Sequence, residues 1–291
     1  MGGFGVKMAA FLVALLAAAA PLCAQTIHMK DGRVIVAKSL RRDGDTIVAT
    51  VDLPPVGGQT KTTGDLGYPL AQITRLDFPE PPPMRSAPDL IAQGKSAEAL
   101  AQLEPVVKYY EGFRDAPGSW WAPLIVLKIE ALNSAGKEAE AASLTEQTLQ
   151  LAKDPEAQRA LRARQAANLA RQGKTAEAEE ICDTVIKESK DARTLAAAYL
   201  AKGQCLLAKK QWEDAMLAFL ETPVFYPGEK VELPKSMLGI GRAQFGMDNF
   251  TEARAALNDL IKTYAASTEA MQAKTELDNI ARREKALAAP K

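Results

Sequence analysis

Few side chains in this 291-residue chain are of the kinds that do chemistry, and their spacing restricts what the chain does. His28 is the sole histidine, which by count excludes catalytic triads, histidine–zinc sites and most histidine general bases, and its setting is that of a strand residue. No glycine-rich phosphate loop, HExxH, GxSxG or CxxC occurs. Asp31, Asp43 and Asp45 are carboxylates of the kind that hold calcium, but they sit in Lys30-Asp31-Gly32 and Asp43-Gly44-Asp45, where a hairpin turn accounts for them. Glu179 and Glu180 belong to a solvated helical face. No catalytic residue, metal site or cofactor site is read from these residues.

Two other features carry binding chemistry. Trp120 and Trp121 are adjacent aromatics just ahead of a helix expected near Pro123, and aromatics of this size either anchor a partner or close a core. Cys182 and Cys205 are far apart for a metal motif, and both a disulfide and a pair of buried thiols stay open.

The elements that must position these residues fall into differently patterned segments. The 36 basic and 36 acidic residues cancel, so there is no bulk field to condense on nucleic acid or an anionic membrane. Lys7 precedes an apolar run from Ala9 to Ala20 that breaks at Pro21, and Ala24 suits a signal peptidase; residues 1–24 read as a secretory signal peptide. Cys23 invites acylation, but Ala20, Pro21 and Leu22 fit a lipobox poorly. No other segment approaches transmembrane length. The mature protein is therefore expected outside the inner membrane, periplasmic or envelope-associated.

Residues 25–78 alternate with a period near two around Asp-Gly turns: Ile27 to Met29, Val34 to Ala37, Thr46 to Val51, then a loop with Gly57, Gly58, Gly64 and Gly67, then Ile73 to Phe78. Four or five strands in a small SH3-like or Sm-like barrel are expected. Residues 79–85 contain Pro79, Pro81, Pro82 and Pro83 and read as a semi-rigid spacer.

Beyond Ser86 the apolar residues take helical spacing and one signature recurs. It appears as Gly94-Lys95-Ser96-Ala97-Glu98-Ala99, as Gly136 to Ala141 and as Gly173 to Ala178, with degenerate copies Lys210 to Ala215 and Asp248 to Ala253. The turn positions 94, 136, 173, 210 and 248 lie 42, 37, 37 and 38 residues apart, the mark of a solenoid. The turn residue takes the left-handed conformation that ends a helix, and the alanine five positions on lets the next helix approach closely. Tyr199, Gly203, Leu206, Ala215, Phe219 and Pro227 in the fourth copy fall in the large, small, large, small, aromatic and proline pattern that resembles tetratricopeptide repeats of bacterial envelope proteins. The resemblance covers residues 86–266, and residues 267–291 read as a polar capping helix and tail. The fold class is thus mainly α: an α-solenoid of about five helical hairpins behind a small β domain.

The resemblance implies a concave groove lined by the first helix of each hairpin. That assigns it Ala160, Ala163, Ala167 and Ala170 in the third repeat, Ala197, Leu200, Gln204 and Leu207 in the fourth, and Lys235, Leu238, Arg242 and Phe245 in the fifth. The groove is expected to be apolar with one or two basic residues, unless the β domain or the last helix fills it. Ala163 and Ala167 stand where chaperone-binding relatives place Lys and Asn, so an acidic chaperone tail is not the implied ligand. The implied function is a non-enzymatic adaptor that holds a protein or peptide segment; the alternative is a structural, cell-wall-associated protein that binds through the β domain. Replacing Ala215 by Leu should wedge the fourth hairpin apart and cost about 1–3 kcal/mol. A thermal melt checks this, and an unchanged melting temperature would place Ala215 outside the helix interface.

Overall fold

A computed structural model describes residues 25–54 and 62–288. The expected signal peptide with Cys23, and the loop residues Gly57 and Gly58, lie outside the described residues. Strands β1 (Gln25–Met29), β2 (Val34–Ala37), β3 (Ser39–Asp43), β4 (Thr46–Leu53), β5 (Thr62–Pro69) and β6 (Ile73–Asp77) form two antiparallel sheets, ordered β2-β1-β6 and β3-β4-β5. Lys38 N donates to Thr50 O at 2.8 Å where the chain passes from one sheet to the other. The alternation holds in β1 and β4, where Ile27, Met29, Ile47, Ala49 and Val51 are buried, but not in β6, where a register shift against β1 buries both Ile73 and Leu76. Gly32 (φ 86°) and Gly44 (φ 54°) supply the left-handed turns.

Two strands were not foreseen. β3 has one buried apolar residue, Leu40, so it carries no alternating signal. Gly64 and Gly67, expected in a loop, lie in β5, whose register with β4 runs from Leu53↔Thr62 to Thr46↔Pro69. That strand is made by backbone pairing; a Cβ on Gly64 would stand 2.7 Å from the Leu53 side chain that crosses it.

The proline segment is not a free spacer. Pro83 opens helix α1 (Pro83–Ala92), Pro82 is its N-cap, and Pro81, Pro83 and Met84 are buried. Prolines are tolerated there because the first helical N–H groups have no intrahelical acceptor.

Among the described residues ten more helices follow: α2 (Ser96–Glu111), α3 (Trp121–Ser134), α4 (Glu138–Leu151), α5 (Pro155–Arg171), α6 (Thr175–Glu188), α7 (Ala192–Ala208), α8 (Trp212–Phe225), α9 (Glu232–Gly246), α10 (Phe250–Thr263) and α11 (Thr268–Ala288). They pair as five hairpins, α1/α2 to α9/α10, with α11 packed on the last. The five signature turns take positive φ: Gly94 73°, Gly136 74°, Gly173 78°, Lys210 60° and Asp248 58°. Each next residue donates back to the preceding helix, as in Lys95 N to Leu90 O at 2.8 Å and Gln211 N to Leu206 O at 2.9 Å. The alanine five positions on (Ala99, Ala141, Ala178, Ala215, Ala253) is sealed from solvent in every hairpin. Asp154 and Asp191 cap α5 and α7 by accepting from Ala157 N and Thr194 N, and Ser267 Oγ does the same for Ala270 N in α11. Between hairpins three and four, Cys182 and Cys205 are buried and unbonded. Phe219 lies in a slot between Gly203 and Gly239, where a Cβ on either would come within 2.6 Å of its ring. Among the described residues no helix is long and apolar enough to cross a membrane.

The 42-residue interval is explained by residues 112–120, which dock the β module. Phe78 meets Tyr110 and Phe113 edge-on, each at 5.1 Å between ring centroids. Tyr109 OH donates to Leu40 O at 3.1 Å, and Leu76 N to Pro117 O at 2.8 Å. Gly118 sits so close that a Cβ would lie 2.1 Å from Leu76 O. The tryptophans belong here too: Trp121 is buried and the half-buried Trp120 donates from Nε1 to Phe78 O at 3.3 Å. They close a core that runs continuously from the sheets into α5, so their place is structural and not at the groove.

Lys210 and Asp248 occupy left-handed positions that glycine fills in the other three turns, at a conformational cost that glycine avoids. Lys210→Gly and Asp248→Gly should each stabilise the fold by roughly 1 kcal/mol, net of the added freedom of the unfolded chain. Chemical denaturation of the two variants checks this; a loss of stability in both would contradict the turn geometry.

Candidate functional site

The first helices do converge. α3, α5, α7, α9 and the start of α11 surround a cavity of about 560 Å³, to which neither sheet contributes a lining residue among those described. Of the residues assigned to the groove, Ala163, Ala167, Ala170, Ala197, Leu200, Gln204, Leu207, Lys235, Leu238 and Arg242 line it. Ala160 instead packs beside the N-terminal core. Phe245 lines an adjoining cavity of about 600 Å³, with Leu207, Trp212 and Arg242. Leu200 and Leu238 are buried in the hairpin cores, so the accessible wall is Gln204, Leu207, Arg242 and Phe245. The C-terminal helix does not fill the groove but walls one end of it, through Thr268, Glu269 and Gln272; Arg242 donates to Glu276 at 2.8 Å and to Gln272 at 3.2 Å.

The expected groove is apolar with one or two basic residues; Lys235 and Arg242 do line it, but its floor also holds carboxylates and a third cation. Four ionisable side chains lie there: Glu130 from α3, Arg164 from α5, and Glu232 and Lys235 from α9. Arg164 and Glu232 are 2% and 1% exposed. Arg164 Nη2 donates to Glu232 Oε1 at 2.9 Å, and Lys235 Nζ donates to Glu130 Oε2 at 2.6 Å. Arg164 Nε stands 2.8 Å from Glu130 Oε1 as an ion pair, but too bent for a hydrogen bond. Arg164 Nη1, Glu232 Oε2 and Ser236 Oγ are buried without a protein partner.

The two carboxylates are driven apart. Burial alone would raise Glu130, but Lys235 and then Arg164 hold it down to about 2. Glu232 has a single cationic contact; burial pushes it up to about 7, Arg164 only partly offsets this, and the negative charge of Glu130 adds to it. Burial disfavours the charge on Lys235, yet Glu130 and Glu232 outweigh it and raise its pKa. Sequence reasoning missed Glu130, Arg164 and Glu232. A helical period marks them as inward-facing, but a charged residue at such a position reads as a surface residue until its partners on other helices are known.

His28 Nε2 lies 2.6 Å from Asp77 Oδ2 across the β1–β6 pair, a half-exposed contact beside the backbone ladder that joins the two strands. Asp31 accepts from Arg33 N and Nε, which completes a turn. Burial pushes both thiols up, Cys205 to about 11 and Cys182 further, which disfavours the thiolate at both.

A tetratricopeptide repeat model matches residues 235–267, which is the fifth hairpin rather than the fourth, where the pattern looked fullest. No curated protein matches the chain. Among solved structures, a singly substituted form of the nearly identical TPR-like repeats of a Podosopora anserina putative kinesin light chain is 19% identical, with a TM-score of 0.38 over 67% of this chain and 94% of that one. A second crystal structure of those repeats is 20% identical, with a TM-score of 0.36 over 68% and 99% of the respective chains. The left-handed turns at a regular period and the repeat match make residues 83–288 a tetratricopeptide-like α-solenoid, preceded by a small β module.

The raised Glu232 fixes the sign of a pH effect. Its folded pKa exceeds the ordinary 4.5, so its contribution to stability is full below that value and is lost as pH rises through about 7. Glu130 acts in the opposite sense, but only as pH falls from 4.5 towards about 2. Between about pH 5 and pH 8, the melting temperature of the unsubstituted protein should therefore fall relative to that of Glu232→Gln, by roughly 3 °C or more. Parallel melting curves across that range would show that Glu232 titrates normally.

Proposed function

We propose that the protein is a non-catalytic adaptor that holds a segment of a protein partner against the concave face of its helical stack, outside the inner membrane, in the periplasm or at the cell envelope. The observation that carries this reading is the convergence of Gln204, Leu207, Arg242 and Phe245 on two adjoining recesses that share Leu207 and Arg242, which sets apolar beside hydrogen-bonding groups. The leader-like residues 1–24 support the location. We read the β module as an SH3-like element that supplies a second contact. Its edge strand β2 exposes Val34 and Val36, and an unpaired strand edge with β-branched residues is suited to pairing with another chain or with envelope material.

Immobilised mature protein incubated with envelope extract tests the groove. Leu207→Ser and Phe245→Ser should reduce capture of the partner at least tenfold, as expected of anchor residues in a recess. Leu217→Ser on the exposed face of α8 should leave it unchanged. Equal capture by all three variants would remove the concave face as the docking site.

A further inference from the structure

Hairpin five does more than extend the stack; it returns on the first three hairpins and shuts the concave face. Lys235 reaches Glu130 and Glu232 reaches Arg164, so hydrogen bonds from charged donors tie α9 to α3 and α5, with α7 between them in chain order. At the rim Lys230 Nζ lies 2.6 Å from Asp89 Oδ1 of α1. The turn at Gly94 abuts the turn before α11 so closely that a Cβ would stand 2.5 Å from Ala266 O. Val231 is buried in the N-terminal core.

These contacts are poorly made for permanent closure. Arg164 Nη1, Glu232 Oε2 and Ser236 Oγ are buried with no protein partner, a cost that contact with water offsets. A buried ion pair contributes little net stability, and switching is among its attested uses. Repeats in a solenoid contact mainly their neighbours, so small rotations at each interface can open the stack while every hairpin stays folded.

We propose that these contacts are a latch: the superhelix exchanges between this closed form and an open one in which hairpin five swings away from hairpins one to three, closure being favoured at low pH and opening at high pH. The groups that face Glu232 are Arg164 and Glu130 on neighbouring helices, Lys235 on its own helix, and Glu229 just before it. Arg171 acts on Glu130, and Glu269 of α11 on Lys235. In the closed form burial keeps the Glu232 proton bound up to about pH 7. In the open form the carboxyl meets water and loses its proton at ordinary values, so rising pH pulls the equilibrium towards opening. The latch rests on the groove reading only for its purpose, because opening is measured without a partner.

Small-angle scattering of the mature protein tests it. The radius of gyration should be about 18 Å in the closed form. It should rise by roughly a tenth between about pH 5.5 and pH 8.5 at constant helical circular dichroism, as hairpin five departs. Glu232→Gln, which mimics the protonated acid, should stay compact throughout, and Lys230→Glu, which sets like charges against each other at the rim, should be expanded at both ends of the range. A radius independent of pH, the same rise in Glu232→Gln, or expansion accompanied by helix loss would each overturn the latch. Capture of a partner by the groove could still stand after any of these results, so the two readings fail separately.

Discussion

The close approach of two helices at an alanine is the constraint from which the rest of the molecule follows. A left-handed residue ends one helix, and five positions later a side chain of one carbon lies sealed against it, in all five hairpins. Any larger residue there would hold the helices apart. Because the approach recurs at nearly constant spacing, the first helices α3, α5, α7 and α9 come to line a common inner face. Glycine extends the same logic beyond the turns: Gly203 and Gly239 are bare so that Phe219 can fill the space between α7, α8 and α9.

A stack built this way has two unfinished ends, and the chain covers them differently. At the C-terminal end α11 lays Ala270, Ala273 and Ile280 against the last hairpin and turns charged residues outwards. At the N-terminal end the two small sheets do this work through Phe78, Tyr110 and Phe113, and the docking loop 112–120 lengthens the first interval. A β module of this size would be marginal by itself; the shared core means that it folds as part of the solenoid's end. The buried prolines at the start of α1 are the short, stiff joint that such packing requires.

Small side chains on the inner face also admit the charged floor. Ala163, Ala167 and Ala197 leave room for the Arg164 guanidinium to lie between carboxylates from two other helices, and the curl of the stack then buries all of them. Glu130 lies at ion-pair distance from both cations, which leaves Glu232 with one cationic contact and a pKa raised by burial. The walls around this floor keep Leu207, Arg242 and Phe245 accessible, so one surface carries both the docking chemistry and the groups that hold it shut.

How much the residues alone decided follows from the range of the interactions involved. Helix ends, turn positions, the buried alanines and the alternating strands β1, β2 and β4 depend on neighbours a few positions away, and the periodicity of apolar residues states them directly. The same holds for the helices that line the groove, since one repeat's register carries to the next. Strand β5 was hidden because its glycines and polar residues become a strand only through pairing with β4. Trp120 and Trp121 were ambiguous because their neighbour Phe78 lies 42 positions back. Lys235 was legible as a groove residue from the repeat register, but Glu130, Arg164 and Glu232 were beyond sequence reasoning for the same cause at greater distance: the contacts Arg164–Glu232 and Lys235–Glu130 span 68 and 105 positions. A charge is stable inside a protein only beside its counter-charge, and here the curl of the whole superhelix, which no local pattern encodes, brings the two together.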